Sequence, residues 1–128
     1  MEPGPDEPLI VEVRKDASLS GTLVHVRGDL DFASASGLER RLDTQVGSGV
    51  HHLVVDLADV SFCDLAGVRV LMRVDRELRT RGGRLTLLGP CRWVTRILTV
   101  LDLTDQLRIE PATGGDGAGQ NGARSQQG

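Results

Sequence analysis

The chain has 128 residues, a formal net charge of −3 and 39% hydrophobic residues, which is enough for the core of one domain. Aromatic residues make up 2% of the chain and Tyr is absent, so the sequence does not suggest a base-stacking platform for nucleic acid. Because the net charge is negative, no overall basic field would attract nucleic acid either. Two cysteines, Cys63 and Cys91, are too few for a disulfide framework and lack the spacing of a metal site, and no motif indicates a cofactor.

The first eight residues, MEPGPDEP, are acidic and rich in proline, in contrast to the basic start of a secretory signal. No apolar run approaches the roughly 20 residues that a membrane-spanning helix needs. We therefore expect a flexible lead at residues 1–8 and a cytoplasmic protein that does not bind a membrane.

Two apolar stretches near the start predict a β-hairpin. Residues 9–13 and 22–26 have the composition of strands, and a polar turn separates them. Residues 28–31 are expected to break the second strand. A helix should follow, with Asp31 or Ser34 as its cap and a glycine-containing stop at its end. Its apolar residues recur at the spacing of one helical face: Ala35, Leu38, Leu42 and Val46.

A buried strand is predicted next, in the middle of the chain. The run 53–55 is apolar and β-branched, Ala58 and Asp59 are expected to form a turn, and Val60 and Phe62 form a second apolar group. Because this stretch leads directly into a helix, the free N–H groups and the positive end of the helix dipole would lie at one edge of the domain. We expect the functional site at that edge.

The remaining elements complete an α/β fold. Asp64 is a suitable N-cap for a second helix over residues 65–81, since its carboxylate can accept from the first helical turn. A strand at 84–88, a helix at 92–101 and a short edge strand at 107–109 follow. The order strand–strand–helix–strand–helix–strand–helix predicts one domain, residues 9–110, with helices packed on a mixed β-sheet. The Gly- and Gln-rich residues 111–128 are expected to be a disordered tail.

The second helix has two apolar sides. One side should pack on the sheet: Gly67, Val70, Leu71, Val74 and Leu78. A second group falls among arginines: Leu65, Val68 and Met72, beside Arg69, Arg73 and Arg76. An apolar strip bordered by arginine has the composition of a protein-binding surface. The alternative is that the apolar residues pack under a neighbouring helix and the arginines are a solvated face. The pairs Asp75/Arg79 and Glu77/Arg81 are expected only to support the helix.

Three segments carry a resemblance to a known family. Residues 28–31 read GDLD; residues 54–57 and 62–67 read VVDL and FCDLAG; residues 92–98 and 101–103 read RWVTRIL and LDL. They resemble the G-E-L-D turn, the strand followed by F-x-D-S-S-G, and the closing helix of the STAS domain, the fold of bacterial anti-sigma factor antagonists. The segments occur in the same order, and the resemblance covers nearly the whole chain apart from its two ends.

The resemblance implies a protein partner. Family members of this type bind an anti-sigma factor serine kinase, a GHKL-type ATPase, and thereby free the sigma factor. The kinase then phosphorylates the second serine of D-S-S-G and the complex dissociates. In this sequence the two serine positions are Leu65 and Ala66, so neither can accept phosphate. The nearest hydroxyl, Ser61, lies before the expected helix and does not match the acceptor position.

We therefore expect a non-catalytic module that keeps the binding surface and lacks the usual off-switch. It would be a monomer or weak dimer that binds no nucleic acid. Its partner-binding residues would be Asp31, Asp64, Leu65, Ala66, Gly67, Val68, Arg69, Met72, Arg73 and Arg76. Three alternatives stay open: a decayed paralogue, a STAS scaffold or transporter-associated domain with a different protein partner, and a small α/β enzyme. The enzyme is disfavoured because the start of the second helix has no hydroxyl, no His and no metal cluster.

Several other residues have a functional and a structural interpretation. Asp31 and Asp64 match two loop carboxylates of the family and should lie close together, either shaping the partner site or simply capping two helices. Cys63 and Cys91 should emerge at the same end of the sheet, where a reversible disulfide is conceivable but two small hydrophobes are more usual. Adjacent strand residues such as His51 and His52 point to opposite faces and do not suit one metal ion. The glycine-rich segment 114–119 lacks the strand and helix that a phosphate loop needs.

Overall fold

The computed structural model describes residues 9–16 and 21–111, which form five strands and three helices. The strands are β1 (Ile10–Asp16), β2 (Gly21–Leu30), β3 (His52–Cys63), β4 (Arg84–Leu88) and β5 (Arg108–Glu110). The helices are α1 (Phe32–Gly47), α2 (Leu65–Thr80) and α3 (Arg92–Val100). The predicted α/β class and order of elements are confirmed. The expected lead at 1–8 and most of the expected tail at 111–128 lie outside the described residues.

The sheet has the simple order β1-β2-β3-β4-β5. β1 and β2 pair antiparallel, as the predicted hairpin requires, whereas β2 to β5 are all parallel. Each parallel neighbour is reached through one helix, and right-handed crossovers that all advance in the same direction place α1, α2 and α3 on one face. The carboxyl ends of β2, β3 and β4 and the amino ends of the three helices therefore meet at one edge.

The core lies between the sheet and the helices. Val24, Val55 and Leu87 are cross-strand partners that form one row across the sheet, and all three are fully buried. The four apolar residues predicted for α1 are all buried, and so is the sheet-facing group predicted for α2. The core is almost entirely Leu and Val, as the lack of aromatic residues required.

The predicted breaks in β2 and β3 are wrong, because bulges take their place. The pairing shifts between His25 and Arg27 and again between Gly28 and Asp29, and at each shift β3 contributes one extra residue. β2 continues through Gly28, whose φ of +107° is accessible to glycine without strain, and β3 runs unbroken through Asp59. Each bulge resets the alternation of buried and exposed residues in β3, so this continuous strand has the sequence pattern of a turn, whereas β2 alternates regularly.

Polar contacts fix α2 against the sheet. Asp75 is buried, accepts a hydrogen bond from the Leu85 N–H at 3.1 Å, and pairs with Arg79 at 2.9 Å. Glu77 pairs with Arg81 at 3.1 Å. Both predicted i,i+4 pairs are therefore present, and one of them also ties the helix to β4. Within the described residues, no helix is long and apolar enough to cross a membrane.

Candidate functional site

Three helices begin at the carboxyl edge of the sheet. Leu30 ends β2 and α1 starts at Phe32; Cys63 ends β3 and α2 starts at Leu65. α3 starts at Arg92, shortly after the end of β4. Free N–H groups at such helix starts need acceptors, so the side chains at these junctions determine how the edge is built.

Asp64 joins the first two helices through both oxygens of its carboxylate. Oδ1 accepts from the N–H groups of Ala66 at 2.9 Å and Gly67 at 3.4 Å, which caps α2. Oδ2 accepts from the Phe32 N–H at 3.1 Å, at the start of α1. The Asp64 N–H in turn donates to the Leu30 carbonyl at 3.1 Å. One side chain therefore sets the relative position of both helix starts.

Asp31 caps α1 in a reciprocal arrangement with Ser34. Its carboxylate accepts from the Ser34 N–H at 3.1 Å, and the Ser34 hydroxyl accepts from the Asp31 N–H at 3.0 Å. This is a capping box in which serine takes the usual place of glutamate or glutamine. Because Asp64 binds the residue next to Asp31, the two predicted carboxylates lie at the same point of the edge, and both act as helix caps.

The first turn of α2 packs closely on the sheet. A Cβ atom on Gly67 would lie 2.5 Å from the Leu30 Cγ and 3.0 Å from the Cys63 Sγ, so only glycine fits there. Val68 is fully buried, which corrects the prediction that it belongs to the outward apolar strip. Its side chain reaches the core because Gly67, immediately before it, lets the helix approach the sheet. Ala66 is partly buried beside it.

Leu65 and Arg69 form a ridge between two open grooves. Leu65 is 45% exposed, and Arg69 is exposed one turn later on α2. The groove on the α1 side has a volume of about 630 Å³, and its lining includes Phe32, Ser36 and Ala66. The groove on the other side, of about 440 Å³, includes Met72, Arg76 and Leu103. We call the ridge and its two grooves the α2 surface. It retains the predicted residues Leu65, Arg69, Met72 and Arg76, with Met72 partly buried.

The three arginines predicted for the binding surface of α2 differ in their partners. Arg73 bridges to α1, with its Nε 2.5 Å from Glu39 and an Nη 2.6 Å from Asp43. The hydrogen bond to Asp43 raises the pKa of Arg73, and the one to Glu39 adds to the effect. In the part of the chain that the structure describes, neither Arg69 nor Arg76 forms an ion pair. Arg73 is therefore occupied within the domain, whereas the other two can meet a carboxylate of a partner.

All three aromatic residues of the chain lie at this same edge, which sequence reasoning missed. Phe32 is the first residue of α1 and is 84% exposed. Phe62 precedes the last residue of β3, and its ring packs edge-on against Trp93 near the start of α3, with centroids 5.1 Å apart. The available signal was their placement, since each stands within two residues of an expected strand end or helix start. Exposed aromatic side chains are enriched in the centres of protein interfaces.

Ala66, the position that the family resemblance assigns to the phosphoacceptor, carries only a methyl group. The Ala66 N–H is bound by Asp64 in the first turn of α2, so the backbone has the geometry of a capped helix start, but the side chain offers no hydroxyl. Ser61 is exposed on β3, four residues before the first residue of α2. Among residues 9–16 and 21–111, no group of three or more potential ligands could hold a metal ion.

The remaining candidates have structural environments. Cys63 is buried, and desolvation raises the pKa of its thiol from 9.0 to about 12, with smaller contributions from the nearby Cys91 and Asp64. Both thiols are free, and their proximity agrees with the prediction that they emerge at one end of the sheet. His25 is hydrogen-bonded to Asp59 at 2.8 Å beside the first bulge.

Comparison with known proteins places this architecture in one family. The STAS domain profile matches residues 9–114. The BtrV protein of Bordetella bronchiseptica, a candidate anti-sigma factor antagonist, is 31% identical over 86 residues, which are 67% of this chain and 72% of that protein. An anti-sigma factor antagonist from Mycobacterium paratuberculosis shares the fold with a TM-score of 0.74 at 22% identity, over 86% of this chain and 91% of that one.

The same fold occurs within a much larger protein. The murine anion transporter Slc26a9 aligns with a TM-score of 0.59 at 21% identity, over 71% of this chain but only 16% of the transporter. The match therefore extends beyond free-standing domains, although at this identity it concerns the fold alone. With the family profile covering the sheet, all three helices and the edge built around Asp64, the chain belongs to the STAS domain family.

Proposed function

We propose that this domain binds an anti-sigma factor serine kinase through the α2 surface and lacks the phosphorylation that would release it. The observation that carries the proposal is the state of the α2 start: Asp64 caps the helix, Leu65 projects beside it, and Ala66 stands where a phosphoacceptor is expected. The relatives named as anti-sigma factor antagonists support the choice of partner.

The chemistry of the surface fits a protein partner. A half-exposed leucine lies between two grooves, one bordered by the exposed Phe32 ring and the other by the Arg76 side chain. Apolar anchors surrounded by arginine and aromatic groups are typical of the centre of a protein interface. The Ser34 hydroxyl lies 3.2 Å from the Asp31 carboxylate, but both groups serve the capping box of α1. The activity that we propose is therefore binding alone, in the cytoplasm.

The absent hydroxyl determines how the complex would be regulated. A phosphate added at a helix start in a partner interface brings close to two negative charges into that interface and breaks it. With a methyl group at Ala66 this charge cannot be added there. We infer that the complex persists in the presence of ATP and that its release depends on something other than modification of this position.

Phosphotransfer tests the proposal directly. The purified full chain and its Ala66→Ser variant are each incubated with the GHKL-type anti-sigma kinases of the same cell and ATP, and intact masses are recorded. We expect no phosphate on the wild type and one phosphate on the variant, followed by dissociation of the variant complex. Phosphate on the wild type, or a kinase that binds Ala66→Ser without modifying it, would contradict the proposal.

A second function is favoured by a different observation. The fold match to part of Slc26a9 shows that STAS domains occur within an anion transporter, so a scaffold role beside another protein is the alternative. The same α2 surface would then bind a non-kinase partner. Recovery of transport-complex subunits, with no binding to any of the purified kinases, would favour this alternative.

A further inference from the structure

Helix α3 carries a second apolar face that the α2 surface does not include. Val94 and Leu98 are fully buried and attach the helix to the rest of the domain. On the adjoining side, Trp93 is 41% exposed and Val100 is 73% exposed, with the partly buried Ile97 between them. Leu101, directly after the helix, is 45% exposed. We call these four residues the α3 stripe.

The spacing of the α3 stripe suits another helix. Trp93, Ile97 and Val100 follow one another at intervals of four and three residues, which is the seam spacing by which helices pack side by side. α3 has nine residues, so it extends over about 13 Å at 1.5 Å per residue and can contact about two turns of a partner helix. The Phe62 ring packs edge-on against Trp93 and supports one end of the stripe.

The charges beside the stripe indicate the chemistry of its occupant. Arg92 and Arg96 are exposed, are spaced i,i+4 and border the stripe on its polar side. Among the described residues, neither of them pairs with a carboxylate. A helix lying along the stripe would bring its flank within reach of both guanidinium groups, so glutamate or aspartate on that flank is favoured and lysine is disfavoured.

Phe62 links the α3 stripe to the start of α2, where the α2 surface begins. Phe62 touches Trp93 on one side and stands two residues before Asp64, the cap of α2, on the other. A stripe of four side chains is smaller than a stable interface usually requires, so it would act together with a larger contact. The link through Phe62 connects the stripe to the partner already proposed for the α2 surface.

We propose that the α3 stripe docks an acidic amphipathic helix of the partner protein, as an extension of the contact made by the α2 surface. This inference rests on the proposed function for the identity of that partner. It assigns to Trp93, Val100, Arg92 and Arg96 a direct role in binding. The apolar seam supplies the contact area, and the arginine pair selects the acidic flank of the helix.

Trp93 is the only tryptophan of the chain, so its fluorescence reports on this site alone. The full chain is titrated with a lactam-bridged helical peptide of about 14 residues, with Leu along one face and Glu on both flanks; the bridge is needed because isolated helices of this length are marginal. We expect a saturable blue shift. The same peptide with Lys in place of Glu should bind at least about tenfold more weakly.

Charge reversal provides the matched control. Arg92→Glu/Arg96→Glu should exchange the preference, so that the Lys peptide binds better than the Glu peptide. Arg40→Glu/Arg41→Glu makes the same change of charge on the exposed face of α1 and should leave the preference as in the wild type. Val100→Ala should weaken binding of the Glu peptide by about fivefold or more, while the circular dichroism spectrum of the variant protein stays native.

Three results would overturn the inference. The first is equal binding of the Glu and Lys peptides, or a preference that Arg92→Glu/Arg96→Glu does not alter. The second is a Trp93 blue shift that follows protein concentration together with a doubled mass in sedimentation, because a second copy would then occupy the stripe. The third is a blue shift caused by phosphatidylserine vesicles but not by the Glu peptide.

Measurements of kinase binding distinguish a failure of this inference from a failure of the proposed function. If Leu65→Glu abolishes kinase binding and Val100→Ala leaves it unchanged, the α2 surface is the binding site and the α3 stripe is not part of it. If no kinase binds the wild type, the proposed function fails even where the Glu peptide binds the stripe. If both variants weaken the kinase complex, both proposals hold.

Discussion

Asp64 determines the geometry of the edge at the scale of single residues. Its two carboxylate oxygens satisfy backbone N–H groups of two different helices, one at Ala66 and one at Phe32. The sequence predicted it as an N-cap because the signal is local: an Asp between a strand and an apolar helix. The bond to Phe32 could not be predicted, since it depends on how α1 and α2 meet in space.

Asp64 variants should separate its two roles. Asp64→Ala is expected to lower the free energy of unfolding by about 2 kcal/mol, because both the cap and the bond to α1 are lost. Asp64→Asn keeps one carbonyl oxygen as an acceptor and should cost about half as much. Urea unfolding measures both. Equal losses for the two variants would show that the one oxygen retained in Asn contributes nothing, and no loss in Asp64→Asn would show that the second oxygen contributes nothing.

The buried Cys63 thiol should make stability depend on alkaline pH. Its pKa is 9.0 in the unfolded chain and about 12 in the fold. The contribution of the neutral thiol to the free energy of unfolding is therefore complete below pH 9.0 and is lost as the pH rises towards 12. Over that window the free energy of unfolding should fall by up to about 1.4 kcal/mol per pH unit. The chain has no Tyr, which keeps this window free of phenol titration.

Comparison of the wild type with Cys63→Ala isolates this effect. The variant is expected to be less stable at neutral pH, because it leaves a cavity, but its stability should decline less steeply above pH 9.0. Denaturant unfolding at a series of pH values gives both curves. Parallel curves would mean that the thiol ionises as easily in the fold as in the unfolded chain.

At the scale of elements, local patterns predicted the helices better than the strands. A cap followed by a periodic apolar stripe is contained in one stretch of sequence, and this pattern predicted the starts of α1 and α2. The start of α3 was predicted from its apolar stripe alone, and Cys91 before it makes no side-chain cap. β3 was predicted as two pieces because two bulges shift its alternation, and bulges depend on the pairing of strands that are distant in sequence. β2 was predicted too short because Gly28 has the sequence signal of a break, although the strand alternates regularly to Leu30. Val68 was misplaced because its burial follows from the close approach of α2 to Leu30.

Two glycines in helices should respond in opposite ways to the same substitution. Gly37→Ala in α1 adds a Cβ with nothing within 4 Å, so the higher helix propensity of Ala should stabilise the fold by about 0.5–1 kcal/mol. Gly67→Ala in α2 should instead destabilise it by about 1–3 kcal/mol, because the new Cβ overlaps Leu30.

Thermal and urea unfolding of the two variants and the wild type measure this difference. The result that would contradict the account is a stabilised Gly67→Ala variant, since α2 would then have room to move away from the sheet. The contact matters for function because it sets the depth of Ala66 and Leu65 at the edge.

At the scale of the whole molecule, the topology brings the aromatic residues and Leu65 to one edge. Parallel strands joined by right-handed crossovers bring three helix starts together, and the three aromatic residues of the chain all stand there. The fold class followed from the order of elements and the family resemblance, whereas the location of the functional site stays a prediction. The two grooves and the pairing of Arg73 with α1 could not be predicted from the sequence, because they depend on the packing of α1 against α2.

The central claim is that Leu65 anchors a kinase partner at this edge. The most direct measurement is the affinity of the purified anti-sigma kinases for the wild type and for Leu65→Glu, by titration calorimetry in the presence of ATP. Glu is well tolerated in the first turn of a helix, so the fold should be unaffected. Arg40→Glu, on the exposed face of α1, controls for the added negative charge.

We predict that at least one kinase binds the wild type and Arg40→Glu equally, and that Leu65→Glu weakens this binding by about 100-fold, as expected for a central interface residue. Equal affinity of that kinase for the wild type and Leu65→Glu would contradict the claim.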